Sequence, residues 1–167
     1  MTIKNNTMAL SVIVLAVCSI LAIASISSTS LVFASHDFAA NLTGQQEVPP
    51  VDTLVTGEAI FVPVIPSNET IDFYVNTTAI QGATQGHIHS GAQGENGPIV
   101  VTLFEYDSPR DYVTEKHRFT ASNFEGPMQG KMMADLISAM GNGTTYINIH
   151  TQQNPEGEIR GQIMGTD

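Results

Sequence analysis

The sequence predicts an all-β fold, an antiparallel sandwich or barrel with one short helix, and three observations predict it. Past residue 35, short runs alternate apolar and polar residues with a period of two. Clusters of Gly, Pro and Asn separate those runs at short intervals, as hairpin-connected sheets require. One segment, 131–140, breaks the rhythm by repeating its apolar residues at helical spacing.

The elements follow in order. Phe38, Ala40 and Leu42 alternate with Asp37, Ala39 and Asn41 before a turn at Gly44. Leu54 to Val62 reads as a second strand between EVPP and VIPSN. In the third, Ile71, Phe73 and Val75 share one face, with Asp72, Tyr74 and Asn76 on the other. Thr84 to His89 precedes the glycine-rich SGAQGENG, and Pro98 opens IVVTLFEY, whose two apolar faces predict a central strand. Residues 107–114 read as a polar connection and Lys116 to Ala121 as a weaker strand. Met132, Met133, Leu136, Ile137 and Met140 give the helix, which Gly141-Asn142-Gly143 stops. Thr144 to His150 and Glu158 to Met164 complete about eight strands, joined by the QQNPEG turn. No repeat, long linker or composition shift marks a second domain.

Before residue 35 the chain is of another kind. Lys4 is followed by a nearly unbroken apolar run from Met8 to Ile26, and Val32 and Ala34 are small residues at the usual cleavage spacing. The expectation is a signal peptide over 1–34 and a mature domain over 35–167, secreted or held in the cell envelope outside the cytoplasmic membrane. An uncleaved anchor is the alternative, because the apolar core is near bilayer-spanning length. Val17 before Cys18, where a small residue is needed, argues against a lipoprotein. The whole chain carries a net charge of −10, and removing Lys4 makes it one unit more negative. Such a surface argues against nucleic acid or anionic lipid as partner. The single cysteine lies in the signal, so the mature domain must be stable without a disulfide. Asn41, Asn68, Asn76 and Asn142 each begin an N-x-S/T triplet, a surface acceptor if the host glycosylates exported proteins.

Three histidines stand out. His87 and His89 flank Ile88, so a strand sends both imidazoles to one face, roughly 6.5 Å apart. His150 ends YINIH, where Tyr146, Asn148 and His150 share a face. Three neutral imidazoles from two strands would suit Zn²⁺ or Cu²⁺. The alternative is a hydrogen-bonded network in which the rings hold backbone groups of the glycine-rich turn. His36 and His117 have no partner visible in the sequence.

Glu158 and Arg160 share a strand face across Ile159. The structural reading is an ionic ladder, with Glu47 of TGQQEVPP as a further carboxylate for Arg160 and Asn148 in the same network. General acid–base chemistry by Glu158 would need a cleft and a shifted pKa. Ser90 beside His89 does not make a hydrolase, since G-x-S-x-G is absent and strand neighbours point oppositely. Nucleotide-binding, HExxH and EF-hand patterns are also missing.

The same residues carry a family resemblance. FAANLTGQQEVPPV (Leu42, Gly44, Glu47, Val48, Pro49, Pro50), GHIHSGAQGENGPIV (Gly86 to Val100) and YINIHTQQNPEGEIRGQI (Tyr146 to Ile163) resemble the three blocks of the CHRD domain, named after chordin. The resemblance spans Phe38 to Met164. It implies an immunoglobulin-like or superoxide-dismutase-like antiparallel β-sandwich. Copper/zinc superoxide dismutases also place H-x-H before a glycine-rich turn, but this chain lacks their further metal histidines and their disulfide.

Two functional readings follow. The first is a non-enzymatic extracellular or envelope-associated domain with a structural or binding role toward an extracellular protein or envelope component. The second is a metal-binding protein or oxidoreductase holding Zn or Cu on His87, His89 and His150.

Overall fold

The alternation along the chain, which buries every second residue in Phe38–Thr43 and over 70–76, becomes strands. In chain order they are β1 (Phe38–Thr43), β2 (Thr56–Pro63), β3 (Thr70–Thr78), β4 (Ala83–Ser90), β5 (Ile99–Arg110), β6 (Thr114–Thr120), β7 (Thr145–Thr151), β8 (Ile159–Gln162) and β9 (Met164–Gly165). One helix, α1 (Met133–Gly141), lies between β6 and β7. The computed structural model describes residues 37–64 and 69–166. The expected signal segment, His36 and Asn68 lie outside the described residues.

All strand pairs are antiparallel, and the hydrogen-bonded order is β5-β4-β7-β8-β1-β2-β3-β6, with β9 also on β1. The two end strands, β5 and β6, follow one another in the chain, so the sheet curls back until its ends are neighbours. Beyond β6, a bridge between Val101 and Phe124 helps to close it into a nearly complete barrel-like sheet. Leu42, Phe61, Ile71, Val75, Ile88, Ile147, Ile149 and Ile159 fill the interior. Each such side chain contributes roughly 1.5–3 kcal/mol by burial.

Several expectations change. β5 is an end strand, not a central one. Its second face is buried because the segment after β6 covers it: Glu125 N–H donates to Val100 O, and Thr102 N–H to the Glu125 side chain. Residues 107–110 extend β5 instead of forming a loop. β2 begins at Thr56, leaving Leu54 exposed, because Val51 N–H turns back to Gly44 O and leaves the ladder. In α1, Met133, Leu136 and Met140 face the core, whereas Met132 precedes the helix and is exposed. The Met132 N–H donates to Asp135 Oδ2 at 2.8 Å, fixing the helix start. The expected last strand divides at Ile163: β8 pairs with β7 and β1, and β9 with β1 alone.

Candidate functional site

Because Ile88, Ile147, Ile149 and Ile159 point into the core, the intervening residues of β4, β7 and β8 stand on the opposite face. That face is polar. The ladder aligns His89 with Tyr146 and Gln162, and His87 with Asn148 and Arg160, while His150 faces Gln85. A polar sheet face would ordinarily meet water. Here His87, His89, Tyr146, Asn148, His150 and Arg160 are all buried, and hydrogen bonds tie the face to residues 91–97 and to the 152–157 turn.

The three predicted histidines meet. One ring nitrogen from each lies within 4.8 Å of the others, and the His87 and His150 ring centroids are 4.9 Å apart. His89 Nδ1–H donates to Gly97 O and His150 Nδ1–H to Pro155 O, both at 2.9 Å. A carbonyl only accepts, so both rings carry their proton on Nδ1 and leave Nε2 as a lone pair. His87 Nδ1 lies 3.0 Å from His150 Nε2 and is the donor there. His89 Nε2 is buried without a hydrogen-bond partner. Burial, reinforced by His150 and His89, pushes the His87 pKa down to about 4. Burial also lowers His89, against the Gly97 bond, and lowers His150, against the Pro155 bond. The cluster is thus neutral near pH 7.

Arg160, 1% exposed, does not form the expected ladder with Glu158. Its guanidinium donates to Ala92 O at 3.0 Å, Glu95 O at 2.9 Å and Asn96 Oδ1 at 3.2 Å. It ties the glycine-rich loop to the sheet while its Cζ sits over Tyr146. Tyr146 in turn stacks on His89, with centroids 4.9 Å apart and planes 11° from parallel. His89 and Arg160 approach it from the strands on either side of β7. The loop can lie this close only because residue 97 has no side chain: a Cβ there would stand 1.6 Å from Ser90 O.

Neither acid pairs with Arg160, and the two differ in what meets them instead. Glu158 accepts from Thr53 Oγ1 at 2.6 Å, from Thr151 Oγ1 at 3.0 Å and from the Asn154 amide. Burial would raise its pKa, but these bonds from Thr53, Asn154 and Thr151 outweigh burial and hold it low. Glu158 therefore binds the β7–β8 turn to the approach to β2. Glu47 feels the Arg160 charge but has no ion pair within 4.0 Å among the described residues. Its carboxylate accepts from Asn148 Nδ2 at 3.4 Å, and burial pushes its pKa up to about 7 despite Arg160 and Asn148. Glu47 Oε1 and Asn148 Oδ1 are both buried without partners, and both border Gly157, where a Cβ would lie 2.6–2.7 Å from them.

Strand alternation puts Tyr146 on this face, and Gln162 on the face of Arg160, without showing what either side chain meets; Asn96 and Thr53 join the site only in the fold. The two hydrogens of Gln162 Nε2 are shared among the Gly91, Gly143 and Thr145 carbonyls, pinning residue 91 and the 143–145 stretch. The period-two pattern was the signal for Gln162; Asn96 and Thr53 lie in loops and carried none. His117, read as partnerless, lies in β6 and meets Glu115 at 2.7 Å.

Among the described residues, no helix is long and apolar enough to cross a membrane. No curated protein and no solved structure matches the chain significantly. The family model of the CHRD domain matches residues 38–163. That match contains the polar face and the loops that cover it, and the chain belongs to the CHRD domain family.

Proposed function

We infer that this is a non-enzymatic CHRD domain of the cell exterior or envelope, exported by a signal peptide over 1–34 and acting through residues 35–167 as a rigid binding or structural module. The barrel-like sheet is read as a flattened sandwich of the immunoglobulin or superoxide-dismutase kind, β5-β4-β7-β8 forming one layer and β1-β2-β3-β6 the other. One observation carries the functional reading. Two of the groups that could serve acid–base chemistry are spent on the fold: Glu158 accepts from three side chains and Arg160 holds backbone carbonyls. Family membership supports the extracellular setting. On intact host cells an impermeant amine reagent should label the exposed Lys116 or Lys131. Labelling only after lysis would overturn the placement outside the cytoplasm.

A second reading, a metal-binding protein using His87, His89 and His150, is favoured by the lone pair of His89 Nε2, buried without a partner. Dialysis against Zn²⁺ or copper followed by elemental analysis tests it.

A further inference from the structure

Resting on that second reading, the geometry points to a mononuclear copper site, occupied as Cu(I), built from His87 Nδ1, His89 Nε2 and His150 Nε2. Bonds of 2.0–2.1 Å to one ion place ligand nitrogens roughly 3.3–3.6 Å apart. Here His87 Nδ1 and His150 Nε2 stand 3.0 Å apart and one ring nitrogen from each of the three histidines lies within 4.8 Å of the others, so a shift of about an ångström in the rings closes the triangle.

The surroundings match what a bound ion requires. Ligating imidazoles ordinarily donate their second nitrogen to a carbonyl or carboxylate, which fixes the tautomer. Gly97 O and Pro155 O already do so for His89 and His150. Tyr146 stacked on His89 holds that ring's orientation. Only His87 must change: the proton it gives to His150 Nε2 moves to its own Nε2, so Nδ1 and His150 Nε2 both present lone pairs. All three ligands stay neutral, and no proton is released by the cluster. The lone pair of His89 Nε2, otherwise stranded, then has a partner.

Charge selects the ion. The trio contains neither thiolate nor carboxylate; the Arg160 guanidinium lies over the Tyr146 ring that stacks on His89, and the Glu156 carboxylate acts on His150. The cost of burying an ion rises with the square of its charge, so a monovalent cation is favoured in a buried site whose ligands are all neutral. Imidazole suits copper and zinc alike, but three nitrogens alone leave Zn²⁺ needing a water or another group as its fourth ligand.

The test uses protein purified from its host without an affinity tag and stripped of metal. Under anaerobic conditions, Cu(I) is titrated against the chromogenic chelator bicinchoninate, and Zn²⁺ against a fluorescent zinc chelator. One Cu(I) per chain is expected, with X-ray absorption showing nitrogen neighbours at about 2 Å and no sulfur. Affinity should fall at least 100-fold in His89→Ala and stay unchanged in His117→Ala. If His89→Ala does not fold, the absorption spectrum of the wild type decides the ligand set. Stoichiometric Zn²⁺ binding with Cu(I) lost to the chelator would overturn the cuprous site and leave the metal reading standing. Failure of the folded protein to hold either ion would overturn both.

Discussion

The guanidinium carbon of Arg160 sits 3.4 Å from the centre of the Tyr146 ring, and the same ring stacks on His89. A loop-binding cation, an aromatic ring and a candidate ligand are therefore one packed unit. Removing the cation should loosen the loop as well as the stack. Arg160→Ala gives up a cation–π contact of about 0.5–2 kcal/mol, strands the Glu95 carbonyl and leaves Ala92 O with the Glu95 N–H alone. We expect a loss of about 3 kcal/mol, measured by denaturant unfolding. Arg160→Lys should recover less than half, because an ammonium lacks the planar fork. Wild-type stability in Arg160→Ala would remove the loop-fastening role.

Two glycines of the same loop should behave differently. At Gly97 a Cβ would collide with backbone, 1.6 Å from Ser90 O. Gly97→Ala should cost more than about 3 kcal/mol or displace the loop from His89. At Gly94 the backbone is left-handed, with φ +82°, but nothing lies within 4 Å. Gly94→Ala should cost only about 1–2 kcal/mol of backbone strain. Equal effects in thermal unfolding would contradict the close approach at residue 97.

Glu47 and Glu158 should tilt stability with pH in opposite directions. Glu47 is raised in the fold from 4.5 to about 7, so its contribution is complete below pH 4.5 and is lost as pH rises through 7. At 1.36 kcal/mol per unit the full swing is at most about 3 kcal/mol, reduced by solvent screening. Below pH 7 a protonated Oε1 can donate, and the unpartnered Asn148 Oδ1 borders the same glycine. Glu47→Gln should therefore gain on the wild type between pH 5.5 and 8.5. Unfolding midpoints whose difference is flat over that range would disprove the shift.

Glu158 is lowered in the fold, so its contribution is present above the ordinary carboxylate pKa and is lost as pH falls through the lower folded value. Glu158→Gln should be destabilised at pH 7 by about 2 kcal/mol, because charge-assisted bonds to Thr53, Thr151 and Asn154 are weakened. The penalty should shrink toward pH 3. A pH-independent penalty would point to shape alone.

Export makes the last prediction. Mass spectrometry of the protein from its host should find a chain beginning near Ser35. Membrane-retained protein with an intact Met1 or Thr2 terminus would replace cleavage by an anchor.

Period-two alternation by itself determined most of the strands, the inward isoleucines of β4, β7 and β8, and the shared face of His87 and His89. Alternation is local: the chain's own pleat settles which side a residue takes, whatever lies beyond. It also placed Tyr146, Asn148 and His150 together. What covers that face was decided only by tertiary structure. Arg160 and Glu158 are near neighbours in sequence and of opposite charge, yet each bonds elsewhere. Carbonyls at residues 92 and 95 reach the arginine, and Thr53, from the approach to β2, reaches the glutamate. The apolar faces of β5 implied a sheet centre for a similar reason, since local pattern records burial without naming what buries. Strand pairing brings β4 against β7, and only that register turns three separate histidines into one cluster with a nitrogen left unpaired.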